Sequence, residues 1–282
     1  MVQAGGSRRP FFFLHGQWED GALYSLELAR ALGPDQPFYL LEPYKFEGLA
    51  VPPTFEAIAA AHIEALRSVQ PEGPYLLGGW CNGAIWAYEM ARQLHAQGQA
   101  VDLLLLMDPD PPALHKWDRR MITGLGNLLR LSQEKQVDGF LAYRYLRLSF
   151  HYWRLNKLKH MRTAIPGRRG LERSKVDTTP LRLDVVNPRS QALRQDWSNI
   201  YDWVLAGYMP HSYPGKITFF WTEEEPLRRE RWRTLIAAKT KAHEVEVHII
   251  PGNHITSRTQ YFPVLAEHLR MCLNKAQATL LS

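Results

Sequence analysis

A short stretch near residue 80 constrains the fold more than any other part of the chain. An apolar run, Pro74 to Gly78, leads into Gly79-Trp80-Cys81-Asn82-Gly83, and a helical pattern begins at Ala84. This is the strand–turn–helix context of a nucleophile elbow, with a cysteine in place of the usual serine. Small residues beside Cys81 leave room for the strand and the helix to cross around a strained residue. The pattern predicts that Cys81 projects its thiol above the edge of a sheet.

The composition is that of a folded chain without a membrane-spanning segment. Its 282 residues suffice for one large α/β domain, or for one domain with a substantial insertion. No apolar run approaches the roughly 18 to 20 residues that a membrane-spanning helix requires. Met1 to Arg9 are followed only by the apolar run Phe11 to Leu14, which is too short for the core of a signal peptide. The two cysteines, Cys81 and Cys272, have no metal or disulfide spacing, so we expect a cytoplasmic protein.

Apolar runs typical of strands alternate with helical patterns through most of the chain. We predict strands at 11–14, 38–41, 75–78, 101–107, 217–221 and 245–250, and helices at 23–32, 55–69, 84–97, 226–238 and 261–273. Strands that alternate with helices form a mostly parallel sheet with helices on both faces. Thr54 is the predicted N-cap of the second helix.

The alternation is interrupted between residues 115 and 210. This segment contains helical patterns near 119–133 and 137–161, many aromatic residues and a Gly/Arg-rich break at 166–170. We therefore divide the chain into a first core part at 1–114, a helical lid insertion at 115–210 and a second core part at 211–282. Ligands of open α/β sheets bind at the carboxyl ends of the strands, so we expect the insertion to lie there.

The basic charge of the chain is concentrated in this insertion. The whole chain carries +6, whereas residues 115–210 contain 18 Lys and Arg against 8 Asp and Glu. A basic patch is a generic sign of nucleic-acid binding. No helix-turn-helix, RNA-binding or zinc-finger signature accompanies it, so we expect no nucleic-acid partner.

Three residues of the types used in nucleophilic catalysis follow predicted strands. Cys81 follows the third strand, Asp108 the fourth and His254 the last. Because the carboxyl ends of parallel strands share one edge of a sheet, these side chains are expected to converge. The order nucleophile, acid, histidine is that of the α/β-hydrolase fold, which we predict for this chain. His254 would take the thiol proton of Cys81, and Asp108 would orient the imidazole and stabilise its charge.

Other acidic residues compete with Asp108 for this role. Asp110 lies two residues further on, and Glu223-Glu224-Glu225 follows the next core strand, where many α/β hydrolases keep their acid. We favour Asp108 because the three glutamates also fit a solvated loop. No metal site is predicted, since His243 and His248 lack the H-E-x-x-H spacing and a strand would place them on opposite faces.

Two backbone amides are predicted to form an oxyanion hole. The first predicted strand runs into His15-Gly16-Gln17, and a loop amide after such a glycine can face the elbow. In the alternative reading, Gly16 only turns the chain. The other amide is that of Asn82, at the start of the helix that follows Cys81. The partial positive charge of this helix end should also favour the thiolate form of Cys81.

These motifs together resemble a known family. Leu76 to Ala84, the acid at Asp108 and the Pro-Gly-Asn-His254 turn look like the type I thioesterase domains that end non-ribosomal peptide and polyketide synthetases. The resemblance spans nearly the whole chain. It implies release of an acyl, peptidyl or polyketide chain from a carrier protein, in the same megasynthase. The substrate would arrive on the carrier's phosphopantetheine arm, and no cofactor or metal is implied.

Cys81 departs from the serine that is commoner in this family. Cysteine variants are associated with strained ring closures, such as β-lactones and β-lactams, as well as with ordinary release, so cyclisation and hydrolysis both stay open. Trp80 and Trp18 are candidate substrate-binding residues. Arg168 and Arg169 are candidates for docking an acidic carrier protein onto the basic insertion.

Two other functions compete with carrier-dependent release. One is a cysteine-dependent hydrolase or acyltransferase that acts on free small esters or thioesters. The other is a binding module that keeps the fold without catalysis. The pattern also leaves open the identity of the acyl chain, the oligomeric state, and whether this is an excised terminal domain or a stand-alone protein.

Overall fold

The computed structural model describes residues 3, 5–16, 23–110, 116–163, 190–195, 197–239 and 244–278. The strands of this part of the chain are β1 (Phe11–Leu14), β2 (Phe38–Leu41), β3 (Tyr75–Trp80), β4 (Val101–Met107), β5 (Ile217–Thr222) and β6 (Val245–Ile250). They form one sheet in the order β2-β1-β3-β4-β5-β6, and every neighbouring pair is parallel. The predicted parallel α/β sheet is therefore confirmed.

The helices that connect and flank these strands follow the predicted pattern. They are α1 (Leu23–Leu32), α2 (Phe55–Arg67), α3 (Asn82–Ala96), α4 (Lys116–Leu128), α5 (Gln133–Thr163), α6 (Ser190–Gln195), α7 (Trp197–Gly207), α8 (Pro226–Lys239) and α9 (Phe262–Ala278), with a 3₁₀ turn at Thr256–Arg258. Thr54 caps α2 as predicted, because its hydroxyl accepts a 3.2 Å hydrogen bond from the Ala57 amide.

The chain divides into two compact units. The core unit comprises Met1–Glu47, Pro53–Leu114 and Gly207–Ser282, and the insertion unit comprises Gly48–Pro52 and His115–Ala206. The insertion unit thus includes a short segment between β2 and α2 that the sequence analysis left in the core. The position of the insertion at the strand ends stays a prediction.

Both faces of the central strands are buried. Leu76 of β3 and Leu105 of β4 pack in one cluster with residues of α1 and α9, such as Leu28 and Leu269. The next residue of β3, Leu77, points to the opposite face and is also fully buried. This double burial explains why β3 and β4 are almost continuously apolar. Their polar and reactive groups are consequently confined to the strand ends.

The first helix of the insertion unit ends earlier than predicted. Helix α4 stops at Leu128, where we expected it to continue to 133. Arg130 adopts a left-handed φ of 53°, and the Leu131 amide donates to the Gly126 carbonyl at 2.8 Å. This is the geometry of a helix C-cap, which periodicity alone does not reveal. The Gly/Arg-rich break at 166–170 lies outside the described residues.

Candidate active site

The elbow places Cys81 in a strained conformation between β3 and α3. Cys81 has φ 54° and ψ −121°, and α3 begins at the next residue. A Cβ on Gly79 would lie 2.4 Å from Gly83 backbone atoms, and a Cβ on Gly83 would lie 2.1 Å from the Leu14 carbonyl oxygen. Only glycine fits at these crossings. The strand–turn–helix geometry predicted around Cys81 is therefore present.

The loop after β1 passes directly beside this elbow. A Cβ on Gly16 would lie 2.7 Å from Cys81 Cβ and 3.2 Å from the Asn82 nitrogen. The close approach agrees with the expectation that this loop faces the nucleophile. Gln17 and Trp18, the residues that follow, lie outside the described residues, as do Arg168 and Arg169 of the insertion. Their predicted roles stay predictions.

Asp108 and His254 are in direct contact. Asp108 follows β4 with a left-handed φ of 40°, and its amide donates to the Phe220 carbonyl of β5 at 2.7 Å. One carboxylate oxygen, Oδ2, makes a short hydrogen bond with His254 Nδ1. The other oxygen, Oδ1, accepts a 3.2 Å hydrogen bond from the Thr222 hydroxyl. Only 1% of the Asp108 side chain is exposed, so the imidazole has a buried, well-held partner.

The competing acid, Glu223, has no such contact. It follows β5, and its amide donates to the Ile250 carbonyl at 3.0 Å. Its side chain is exposed, and within the described part of the chain no hydrogen bond of its carboxylate is present. The geometry therefore favours Asp108 over Glu223 as the partner of His254.

The second ring nitrogen of His254, Nε2, accepts a hydrogen bond from Trp80. The indole Nε1 donates to His254 Nε2 at 3.2 Å, and the two ring centroids lie 5.2 Å apart. An indole N–H can only donate and Asp108 Oδ2 can accept from Nδ1, so these two contacts fit the tautomer with the lone pair on Nε2 and the hydrogen on Nδ1. This is the tautomer that a general base at Nε2 needs. The indole nevertheless stands where the thiol proton would arrive.

Cys81 is hydrogen-bonded to a different acid. Its Sγ donates to Asp110 Oδ2 at 3.3 Å, and the hydrogen bonds of the described residues include none between Cys81 and His254. Burial raises the pKa of the Cys81 thiol strongly, and the negative charge of Asp110 raises it further. Arg228 and the Asn82 amide lower this pKa, but by less. The predicted thiolate is therefore not the form that this arrangement favours, because burial and Asp110 outweigh Arg228 and the Asn82 amide.

Arg228, in the first turn of α8, links the acidic residues of the site. Its guanidinium lies 3.2 Å from Asp108 Oδ2, 3.2 Å from Asp110 Oδ1 and 3.0 Å from Glu225 Oε2. Nη1 of Arg228 is also 3.1 Å from His254 Nδ1. The sequence analysis missed this residue, because an arginine after an acidic cluster on a surface helix has no distinctive pattern.

Trp232, one turn further along α8, holds the peptide after β4. Its indole Nε1 lies 3.1 Å from the Pro109 carbonyl oxygen and 2.9 Å from that of Asp110. Trp232 is fully buried. Helix α8 thus contacts both acids, since Arg228 pairs with the carboxylates of Asp108 and Asp110, and Trp232 also contacts the Asp110 backbone. The site thus holds a protonated thiol on Asp110 and an imidazole on Asp108.

This parallel sheet, with its elbow and its acid–histidine pair, defines an α/β-hydrolase fold. A family model described as the thioesterase domain matches residues 21–272. The chain therefore belongs to the thioesterase domain family, as its motifs indicated. In the part of the chain that the structure describes, no helix is long and apolar enough to cross a membrane.

Solved structures confirm the fold. The thioesterase domain of NocB from the nocardicin cluster has a TM-score of 0.57 and 23% identity, with 95% of each chain covered. A four-domain nonribosomal peptide synthetase, AB3403, has a TM-score of 0.57 and 19% identity. That match covers 95% of this chain and 20% of the synthetase.

Sequence relatives include much longer synthases. The non-reducing polyketide synthase crz7 of Cladonia metacorallifera is 41% identical over 93 residues, which are 33% of this chain. The match covers only 4% of that synthase. The similar proteins thus carry this unit as one domain of a polyketide or nonribosomal peptide synthetase.

Proposed function

We propose that this chain is a thioesterase that releases a carrier-bound acyl, peptidyl or polyketide chain through a Cys81 thioester. The observation that carries the proposal is the Asp108–His254 pair beside an elbow cysteine, in a member of the thioesterase family. The covalent complex of the NocB domain with a fluorophosphonate nocardicin G analogue supports covalent chemistry in a similar domain. The acyl chain would be released either by hydrolysis or by cyclisation.

The first step transfers the acyl chain to the enzyme. The Trp80 indole releases His254 Nε2, which then takes the proton of Cys81, and the sulfur attacks the thioester carbonyl. The oxyanion is held by the Asn82 amide and, in the proposal, by the Gln17 amide. Collapse breaks the carbon–sulfur bond to pantetheine, and His254 returns its proton to the departing sulfur. One thioester replaces another, so this step is close to thermoneutral.

The second step transfers the acyl chain to an acceptor. A hydroxyl or amine of the same chain, or a water, loses its proton to His254 and attacks the carbonyl carbon of the Cys81 thioester. The bond between the acyl carbon and the Cys81 sulfur then breaks, and His254 returns the proton to the departing thiolate. The thioester is more activated than the oxyester that a serine would form. An internal acceptor also has a high effective molarity, about 10⁵ M or more for a well-placed group. The activated thioester and the high effective molarity both favour a demanding ring closure as the reaction that uses the Cys81 sulfur.

The partner in this proposal is an acyl or peptidyl carrier protein. The phosphopantetheine arm belongs to that carrier, so the enzyme needs no cofactor of its own. In the insertion unit several acidic residues already pair with arginines: Asp118 with Arg147 at 2.8 Å and Asp138 with Arg194 at 2.7 Å. Because residues 115–210 contain 18 Lys and Arg against 8 Asp and Glu, the net positive charge of this segment would attract an acidic partner.

The proposal is tested by intact mass after incubation with an acyl thioester of a pantetheine analogue. The parent protein should gain one acyl mass, and peptide mapping should place it on the Cys81 peptide and not on the Cys272 peptide. Cys81→Ala should gain none. An acyl group on any residue other than Cys81, or an adduct that persists in Cys81→Ala, would contradict the mechanism.

The same experiment separates the two competing functions. If free small esters acylate Cys81 as fast as carrier-bound thioesters do, the chain is a general cysteine hydrolase or acyltransferase. If no thioester or ester forms an adduct or turns over, the chain is a binding module. Carrier-dependent release requires turnover that is faster with the carrier than with its isolated arm.

Carrier docking is tested by charge reversal in the basic insertion. Arg168→Glu with Arg169→Glu should raise KM for a carrier-bound substrate and leave KM for a small thioester unchanged. Arg30→Glu, at an exposed position of α1, serves as the matched control. Equal effects on both substrates, or an equal effect of the control, would rule out docking at these arginines.

A further inference from the structure

A second group of reactive side chains lies at the last strand of the sheet, between β6 and α9. Glu246 and His248 are two residues apart on β6, so they face the same side of this edge strand. His268 and Cys272 are four residues apart on α9, so they share one face of that helix. The sheet and the helix bring these two pairs together, although their spacing in the sequence matches no metal-binding motif.

The ligand atoms of three of these residues converge. His248 Nε2 lies 3.0 Å from Glu246 Oε1 and 3.7 Å from Cys272 Sγ, and one ligand atom of each residue lies within 4.8 Å of the others. Zinc binds nitrogen at about 2.0–2.1 Å and sulfur at about 2.3 Å, so tetrahedral ligands lie roughly 3.5 Å apart. The two measured separations, 3.0 and 3.7 Å, are close to that spacing, and the third pair of ligand atoms lies within 4.8 Å.

His268 orients the central ligand. Its Nδ1 is 3.0 Å from Nδ1 of His248, on the side of the ring that faces away from Glu246 and Cys272. Histidines that bind metals characteristically donate their other N–H to such a partner, which fixes the ring and the tautomer. With Nδ1–H donated to His268, Nε2 of His248 presents its lone pair to an ion.

Two lysines that pair with Glu246 limit the kinds of metal ion that these three residues can bind. Lys216 and Lys275 pair with Glu246 Oε2 at 2.7 and 2.9 Å and leave Oε1 for His248. Because the carboxylate charge is largely compensated, the ion must gain its stabilisation from a thiolate and an imidazole. These ligands favour zinc and similar thiophilic ions over magnesium or calcium.

The site has room for a fourth ligand. A cavity of about 200 Å³ adjoins it and is lined by Asp102, Lys216, Thr218, Glu246, Cys272 and Lys275. That volume accommodates a water, which completes the coordination of a three-residue zinc site. Thr218 lies opposite Glu246 in the β5–β6 register, below the strand ends that carry His254. The cluster is therefore separate from the Cys81 site.

We propose that Glu246, His248 and Cys272 bind a thiophilic divalent metal ion, such as zinc, which fastens the edge strand β6 to α9. Binding forms a metal–sulfur bond and releases the thiol proton of Cys272 to solvent. The proton of His248 moves from Nε2 to Nδ1, and that of His268 moves from Nδ1 to Nε2. Each imidazole keeps one proton, so the net release is one proton per ion.

The test uses Co²⁺ as a spectroscopic probe on the full, chelator-treated chain. Co²⁺ should produce a thiolate-to-cobalt charge-transfer band and the visible bands of four-coordinate cobalt, and Zn²⁺ should displace both. Cys272→Ser and His248→Gln should abolish the charge-transfer band or weaken binding at least tenfold. His268→Gln should weaken binding about 10- to 100-fold, as loss of an orienting partner does.

Cys81→Ala is the thiol-matched control and should keep the cobalt spectrum. Circular dichroism of each metal-free variant establishes that it is folded, and Glu246→Gln provides a variant that keeps nearly the same shape. Zn²⁺ should raise the Tm of the parent and of Cys81→Ala, but not that of Cys272→Ser. Absence of the charge-transfer band in the parent, or its loss in Cys81→Ala instead of Cys272→Ser, would overturn the proposal.

Discussion

The two cysteines of this chain differ more in backbone conformation than in the causes that raise their pKa values. Cys81 sits at a strained turn with φ 54°, whereas Cys272 sits in the regular helix α9. Burial raises the pKa of both thiols, that of Cys272 to about 11, and a carboxylate raises each pKa further. The Sγ atom of Cys272 lies 3.7 Å from His248 Nε2, whereas the hydrogen bond of the Cys81 thiol in the described residues is to Asp110.

This difference shows that a Cys–His contact alone does not identify a nucleophile. The elbow thiol stands at a helix N-terminus beside the Asn82 amide, and Asp108, which is buried, contacts His254. The helix thiol lacks the elbow and instead shares its histidine with a second imidazole and a glutamate. One arrangement suits acyl transfer and the other suits metal coordination.

The largest effect is expected from removal of the elbow thiol. Cys81→Ala should lower kcat/KM for an acyl thioester by about 10³-fold or more, because no covalent path remains. Steady-state hydrolysis or cyclisation assays measure this loss. Thr234→Ala, an exposed position on α8, is the control and should stay near the parent rate. Full activity without Cys81 would remove the basis of the proposed function.

The next largest effect separates the two candidate acids. Asp108→Asn should lower kcat by about 10³-fold, because an amide no longer stabilises the imidazolium or holds its tautomer. Glu223→Gln is the matched control and should change kcat less than about twofold, since its side chain is exposed. A greater loss at Glu223 than at Asp108 would reverse the assignment.

A smaller effect concerns the acid that contacts the thiol. Asp110→Asn removes a negative charge and a hydrogen bond that raise the pKa of Cys81, so this pKa should fall. The thiolate fraction at a given pH below that pKa should then increase, and alkylation of Cys81 by iodoacetamide near pH 8 should be about tenfold faster. Asp35→Asn, a remote exposed carboxylate, should leave the rate unchanged. A slower reaction in Asp110→Asn would contradict this account.

The smallest effect is expected at the indole that occupies His254. Trp80→Phe keeps an aromatic ring but frees Nε2, so acylation of Cys81 should become about two- to fivefold faster. Single-turnover mass spectrometry measures that step directly. Trp221→Phe, another buried tryptophan, controls for the loss of ring volume. If Trp80→Phe slows acylation while Trp221→Phe does not, the indole assists the histidine instead of restraining it.

The strands and the three strand-end residues could be predicted because their signals are local. Each strand is a short apolar run with turn residues at its ends, and double burial makes β4 almost continuously apolar. A parallel sheet then brings Cys81, Asp108 and His254 to one edge. Asp108 could also be favoured over Glu223, because Glu223 belongs to a run of three glutamates that fits a solvated loop.

The contacts between side chains could not be predicted in the same way. The Cys81–Asp110 and Trp80–His254 hydrogen bonds depend on rotamers and on the exact crossing of β3 and α3. Arg228 enters the site from a helix that is 120 residues from Asp108 in the sequence. The Glu246–His248–Cys272 group joins a strand to a helix, and only the pair on β6 has a detectable local spacing.

The hydrogen bond from Cys81 to Asp110 also affects how readily the Cys81 thiol is oxidised. Peroxide and other oxidants attack thiolates, not thiols, and oxidation beyond the sulfenic acid is largely irreversible. A half-buried sulfur whose proton is held by a carboxylate is therefore expected to react slowly with oxidants. By keeping the thiol protonated, this contact would extend the lifetime of a proposed nucleophile that is more easily oxidised than serine.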